Sequence, residues 1–274
     1  MRNFKKVLLG ALLGVVTFAL VACGGRDGEN VLRIGATAVP HYEILNNIVE
    51  LMAGEGIELI IEEFNDFQTP NIALADGDIL ANFFQHRPFL DNFNYHNNSN
   101  LVPVFGVHFE PLRLYAGRLD DLNHIPQGAE IAIPNDPTNE ARALQLLEAL
   151  GLITLHQPST LASSTTGIAS NPHGLVIHTM TAQSLPAALP DVDFAVINGN
   201  VALQGGVIYR AIDGAGEDPQ SPAAYQFTNF VVVREGYQND HRIIALINAL
   251  NSQATRDFIN TQYQGRVVYT LINP

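Results

Sequence analysis

Two periodicities alternate along this chain. Val31-Leu32-Arg33-Ile34-Gly35-Ala36 alternates with period two and reads as a strand. Pro40 then opens a helix to about Met52, with Ile44, Leu45, Ile48 and Leu51 at helical spacing, and Gly54 and Gly56 end it. Residues 57–64 form a second strand, 71–75 a short helix and 79–84 a third strand, and a short helix follows Pro88. Residues 101–107, 112–115 and 129–133 read as strands. A helix over 139–150 stops where Gly151 supplies a glycine just past the end. Strands are expected at 175–180, 192–197, 227–233 and 266–271, a helical turn at 184–189, and amphipathic helix over 241–263. Alternating strand and helix predict an α/β protein with largely parallel sheets. Ligands of such folds sit outside the carboxyl ends of strands. There the chain gathers unusual residues: 37–41, 83–86, 135–142 and 198–200.

The N-terminus does not belong to that pattern. Arg2, Lys5 and Lys6 precede an apolar run over 7–20, and Leu20-Val21-Ala22 leads into Cys23, the only cysteine. A basic start, a short apolar core and small residues before a cut site describe a secretory signal over 1–22. The apolar run is shorter than the roughly 20 residues of a spanning helix. The segment resembles a lipobox, which implies that Cys23 is lipidated and becomes the mature N-terminus. Residues 23–30 then read as a polar tether, and the expected location is the extracytoplasmic face of a cell membrane.

Losing the three signal cations takes the net charge from −13 to −16 and removes both lysines. So acidic a body excludes nucleic acid, which needs clustered Lys and Arg, and does not lie flat on an anionic membrane. Catalytic signatures are missing: there is no GxSxG, HExxH, P-loop or CxxC, so no enzyme and no cofactor are expected. The closest rival is a metal-binding transport lipoprotein, to which His86, His108 and Glu110 offer ligands.

Five segments, taken in order, resemble the NlpA family of methionine-binding lipoproteins of ABC importers. They are Gly35-Ala36-Thr37-Ala38-Val39-Pro40-His41, Asn82-Phe83-Phe84-Gln85-His86, Ile133-Pro134-Asn135-Asp136-Pro137-Thr138-Asn139, Ile197-Asn198-Gly199-Asn200 and Val232-Val233-Arg234-Glu235-Gly236. The resemblance runs over about residues 31–270. It implies a type II-like periplasmic-binding-protein fold, with two α/β lobes, a two-strand hinge and a ligand cleft between the lobes. Lobe 1 is expected at 31–113 plus 230–274 and lobe 2 at 114–229, with the hinge near 110–115 and 228–233. The implied partners are methionine, or a short methionine peptide, and an ABC permease and ATPase.

A zwitterionic amino acid needs donors for its carboxylate, acceptors for its ammonium and a pocket for its side chain. Arg142, in the first turn of its expected helix, either grips the carboxylate two-pronged or pairs with Asp136 or Glu140 on the surface. Asn198, Asn200 and Asn229 offer amide groups to both ends of the ligand, or make turns. Asn135 and Asn139 read as helix caps. Phe84 and Phe67 are candidates for a thioether pocket; by alternation, only one of Phe83 and Phe84 faces it. His86 is either a polar wall or a structural hydrogen-bonder, and His41 and His108 fit capping or hinge packing. Two positions depart from the family pattern. Phe67 replaces a frequent tyrosine, losing a hydroxyl, and Arg113 stands where a small residue is usual, which bears on ligand size and closure.

Overall fold

The computed structural model describes residues 28–272. The signal and Cys23 lie outside the described residues. In chain order the strands are β1 (Val31–Thr37), β2 (Glu58–Phe64), β3 (Ala81–His86), β4 (Leu101–Phe109), β5 (Arg113–Ala116), β6 (Glu130–Pro134), β7 (Thr154–Leu155), β8 (Ile168–Ser170), β9 (Val176–Met180), β10 (Phe194–Ile197), β11 (Ala211–Gly216), β12 (Thr228–Arg234) and β13 (Val268–Ile272). The α-helices are α1 (Glu43–Asn46), α2 (Val49–Gly54), α3 (Thr69–Asp76), α4 (Arg87–Asn97), α5 (Pro137–Ala149), α6 (Leu185–Ala188), α7 (Gly199–Gln204), α8 (Pro222–Gln226), α9 (His241–Leu250) and α10 (Gln253–Tyr263).

Two main sheets result, each buried on both faces. One has the order β13-β4-β12-β3-β1-β2 and the other β11-β5-β10-β6-β9. Leu32, Ile34, Phe83 and Val231 pack with α9 and α10 residues on one face of the first; Phe230, Val232 and Leu90 pack on the other. The second sheet separates a core around Leu144, Leu147 and Phe194 from one around Tyr115, Leu185 and Ile197. The sheets are mixed rather than largely parallel. Only β1-β2, β1-β3, β6-β9 and β6-β10 pair parallel; β12 and β5, the strands beside the crossings between sheets, pair antiparallel with their neighbours. β4 passes to β5 without a helix, carrying the chain directly from the first sheet to the second.

The first crossing, 110–112, falls inside the expected hinge segment. The second precedes Thr228, because Thr228, Asn229 and Phe230 are buried in the first sheet against β3 and β4. Two long helices expected as one are interrupted. At Ile48 the backbone leaves helical geometry between α1 and α2. Ser252 caps α10 by accepting from the Thr255 amide, ending the run of α9. α7 and β11 were not expected from the periodicity.

Candidate ligand-binding site

A small cavity lies between the sheets. Phe67, Phe84, His86, Arg142, Asn198, Asn200 and Asn229 all line it, joined by Phe89, Glu110 and Asn139. Its two sides differ chemically. Phe67, Phe84 and Phe89 form a three-ring cluster with centroids 5.9–6.2 Å apart. The other side presents the guanidinium and the asparagines.

β3 delivers the aromatic side. Phe83 is fully buried in the core, while the β12 pairing skips from Phe83 to Gln85 and leaves Phe84 turned to the cavity. Behind the strand, Asn71, Asn82 and Gln85 bond one another at 2.6–3.0 Å, all buried, and hold β3 in place. His86 ends the strand and caps α4. Its Nδ1 accepts from the Phe89 amide at 3.2 Å, which assigns the proton to Nε2. Nε2 then donates across the cleft to Asn139 Oδ1 at 3.1 Å.

The polar side hangs on two helix starts. Asp136 caps α5 by accepting from the Asn139 amide, and Pro137 occupies the first turn. Asp136, not Asn135 or Asn139, is therefore the cap. Asn139 is instead a cavity residue, whose Oδ1 accepts from both His86 and Asn198 Nδ2. Among the described residues, Asn198 keeps a buried Oδ1 with no donor. Glu110 Oε2 accepts from the Asn200 amide at 2.6 Å, tying the first crossing to the start of α7. Gly199 makes this approach possible, since a Cβ there would sit 2.9 Å from Glu110 Cβ.

Arg142 does not make the surface pair that was one of its expected roles. The helix starts earlier than its pattern suggests, so Arg142 sits in the second turn, 4 % exposed. It pairs with neither Asp136 nor Glu140. Nε donates to Glu217 Oε1 at 2.6 Å, and Nη2 donates to Glu217 Oε2 and to the Glu110 carbonyl. Phe227 covers its face at 4.1 Å. Nη1 has no hydrogen-bond partner among the described residues. Arg113 is not in the cavity wall. Its side chain lies over Gly216, where a Cβ would be 2.7 Å from Arg113 Cγ, so that departure does not shape the pocket.

The residues offered for a metal do not come together as expected. His86 is committed to Asn139, and His108 and Glu110 meet His41 instead, with candidate ligand atoms within 4.8 Å of one another. Hydrogen bonds already account for this cluster. Glu110 Oε1 accepts from His108 Nε2 at 2.7 Å, and His41 bridges Thr37 and Asn229. The other ring nitrogen of His108 is buried without a partner among the described residues, whereas a metal-bound histidine nearly always donates it.

The NlpA lipoprotein family model matches residues 32–271. The chain belongs to the NlpA lipoprotein family. Among its relatives, membrane lipoprotein TpN32 of Treponema pallidum is 38% identical over 264 residues, 96% of each chain. The methionine-binding lipoprotein MetQ of Bacillus subtilis is 33% identical, covering 96% of this chain and 98% of the relative. A nutrient-binding protein of Burkholderia cenocepacia, solved bound to methionine, superimposes with a TM-score of 0.82 at 34% identity, over 87% of this chain and 99% of that one.

In this NlpA lipoprotein the site histidines are held neutral. Burial pushes His41, His86 and His108 down to about 3, helped at His86 by the Arg142 guanidinium. An unfolded histidine takes up its proton near pH 6.5, these three only near 3, so stability is lost as pH falls through that window. Burial raises the Glu110 carboxyl, which acts in the opposite sense but is one group against three. The melting temperature is expected to fall steadily from pH 7 to 4, and less steeply in His86→Gln. A flat profile in the parent protein would contradict the burial of these rings.

Proposed function

We propose that this protein captures methionine outside the cytoplasmic membrane, as the free amino acid or in a short peptide, and passes it to an ABC permease and ATPase. The observation that carries the reading is the pairing of an aromatic wall with two unmet polar groups in one cavity. Asn198 Oδ1 is a buried acceptor without a donor, suited to an ammonium, and Arg142 Nη1 is a donor without an acceptor, suited to a carboxylate. A thioether fits against Phe67, Phe84 and Phe89, where sulfur at a ring edge contributes roughly 0.3–1.5 kcal/mol. Asn200 and Asn229 complete the polar side, with His86 as a polar wall. The cavity is small for a ligand pocket, which favours the free amino acid over a peptide. The relatives' named ligand supports the same choice.

The reading is capture without turnover: His86 and Glu110, which line the cavity, are each held by protein partners. The two lobes, divided at the crossings over 110–112 and ahead of Thr228, close on the ligand by bending there. A lipid on Cys23 holds the protein at the outer face of the membrane. Because ligand binds the folded form, methionine at about 100 times its dissociation constant should stabilise it by roughly 2.7 kcal/mol. Thermal scans of ligand-stripped protein with methionine, glutamate, lysine and glycine should show a marked rise for methionine alone. Equal shifts, or none, would defeat the reading.

A further inference from the structure

The arginine facing the cavity is already neutralised. Glu217 holds it edge-on through Nε and Nη2, leaving Nη1 as the one end without a protein partner. Glu217 is itself fixed to the first crossing: Oε2 accepts from the Leu112 amide at 2.8 Å, and its own amide donates to the Leu112 carbonyl at 3.0 Å. Phe227 against the guanidinium face blocks rotation out of this grip. Glu217 lies behind Arg142 and does not line the cavity. His86 beside it is neutral, and the charge paired directly with the guanidinium is that of Glu217, which belongs to the protein; burial pushes the Glu110 carboxyl, which is also coupled to Arg142, toward its neutral form.

We infer that Glu217 is a positioning and specificity residue, which aims Nη1 at the ligand and balances the arginine so that the site takes net-neutral zwitterions. A bare guanidinium would favour any carboxylate. A guanidinium already paired gives a carboxylate directional hydrogen bonds but little net charge attraction. An anion lacking the ammonium then brings an uncompensated charge into a closed site, and is refused. This rests on the ligand reading above and adds how the site sorts amino acids from simple acids.

The test compares methionine with 4-(methylthio)butanoate, which is methionine without its ammonium, by calorimetric titration. The parent protein should prefer methionine strongly. Glu217→Gln should weaken methionine about tenfold and narrow the preference by tenfold or more, because the unpaired arginine now welcomes the anion. Glu217→Asp keeps the charge but draws back the grip, so it should weaken methionine while keeping the preference. A purely structural Glu217 would weaken both ligands by the same factor and leave the preference untouched in Glu217→Gln, which would overturn the inference. If Glu217→Gln does not fold, unchanged methionine affinity in Glu217→Asp overturns it equally. Failure of the parent protein to bind methionine would instead defeat the ligand reading itself.

Discussion

Replacing Arg142 with alanine is expected to weaken methionine binding by about two orders of magnitude. Truncating one partner of a desolvated charge pair costs roughly 2–5 kcal/mol, much of it from the charge left unpaired. The same substitution also strips Glu217 of its partner in a site where Arg142 is 4 % exposed. Leaving a buried acceptor unsatisfied costs roughly 1–3 kcal/mol, so the melting temperature should fall as well. That second effect separates this arginine from an exposed helix residue, whose surface ion pair contributes under about 1 kcal/mol. Arg142→Lys should recover part of the stability but little of the affinity, because an ammonium cannot grip Glu217 two-pronged and still extend a donor to the ligand. Titrations below each variant's melting temperature, with unfolding scans beside them, check both effects. Near-parent affinity in Arg142→Ala would remove this residue from ligand binding.

The second large effect concerns the anchor. Cys23→Ala should move the protein from the membrane fraction to the soluble fraction, with ligand affinity unchanged. Acyl chains contribute roughly 0.8 kcal/mol per buried CH₂, so two or more chains hold stably and their loss is all-or-none. The acidic body offers no alternative, since 27 Asp and Glu outnumber 14 Lys and Arg even before the signal is cut. No described helix is long and apolar enough to cross a membrane. A variant that still sediments with membranes after a salt wash would contradict the lipobox reading.

What the sequence made legible was local. Alternation marked β1 and β3, and helical spacing marked α9 and α10, because burial on one face imposes a period on the residues that supply it. The seven residues proposed for the site share one cavity; most of them lie near a strand end, a helix start or a bulge, where side chains leave regular packing. What stayed hidden depended on partners far along the chain. Glu217 follows the strand β11, which glycines at 214 and 216 disguise, and lies 75 positions from Arg142. Asn139 is in a conspicuous segment, yet capping was a sufficient local explanation; only the approach of His86 and Asn198 reveals its other task. Sheet direction was misjudged for the same reason, since β12 and β5 show no sign of their antiparallel neighbours in their own residues.

The proposed site, with its aromatic wall, the Asn198 acceptor and the Arg142 donor, suits a neutral amino acid with an apolar, polarisable side chain. The most direct test is to purify the protein from cells without exposing it to denaturant, unfold it, and identify the released small molecule by mass spectrometry. Methionine in near-equal amount to protein is the expected result. A different amino acid or a metal ion as the stoichiometric ligand would contradict the assignment, as would an empty protein that takes up no methionine when it is supplied.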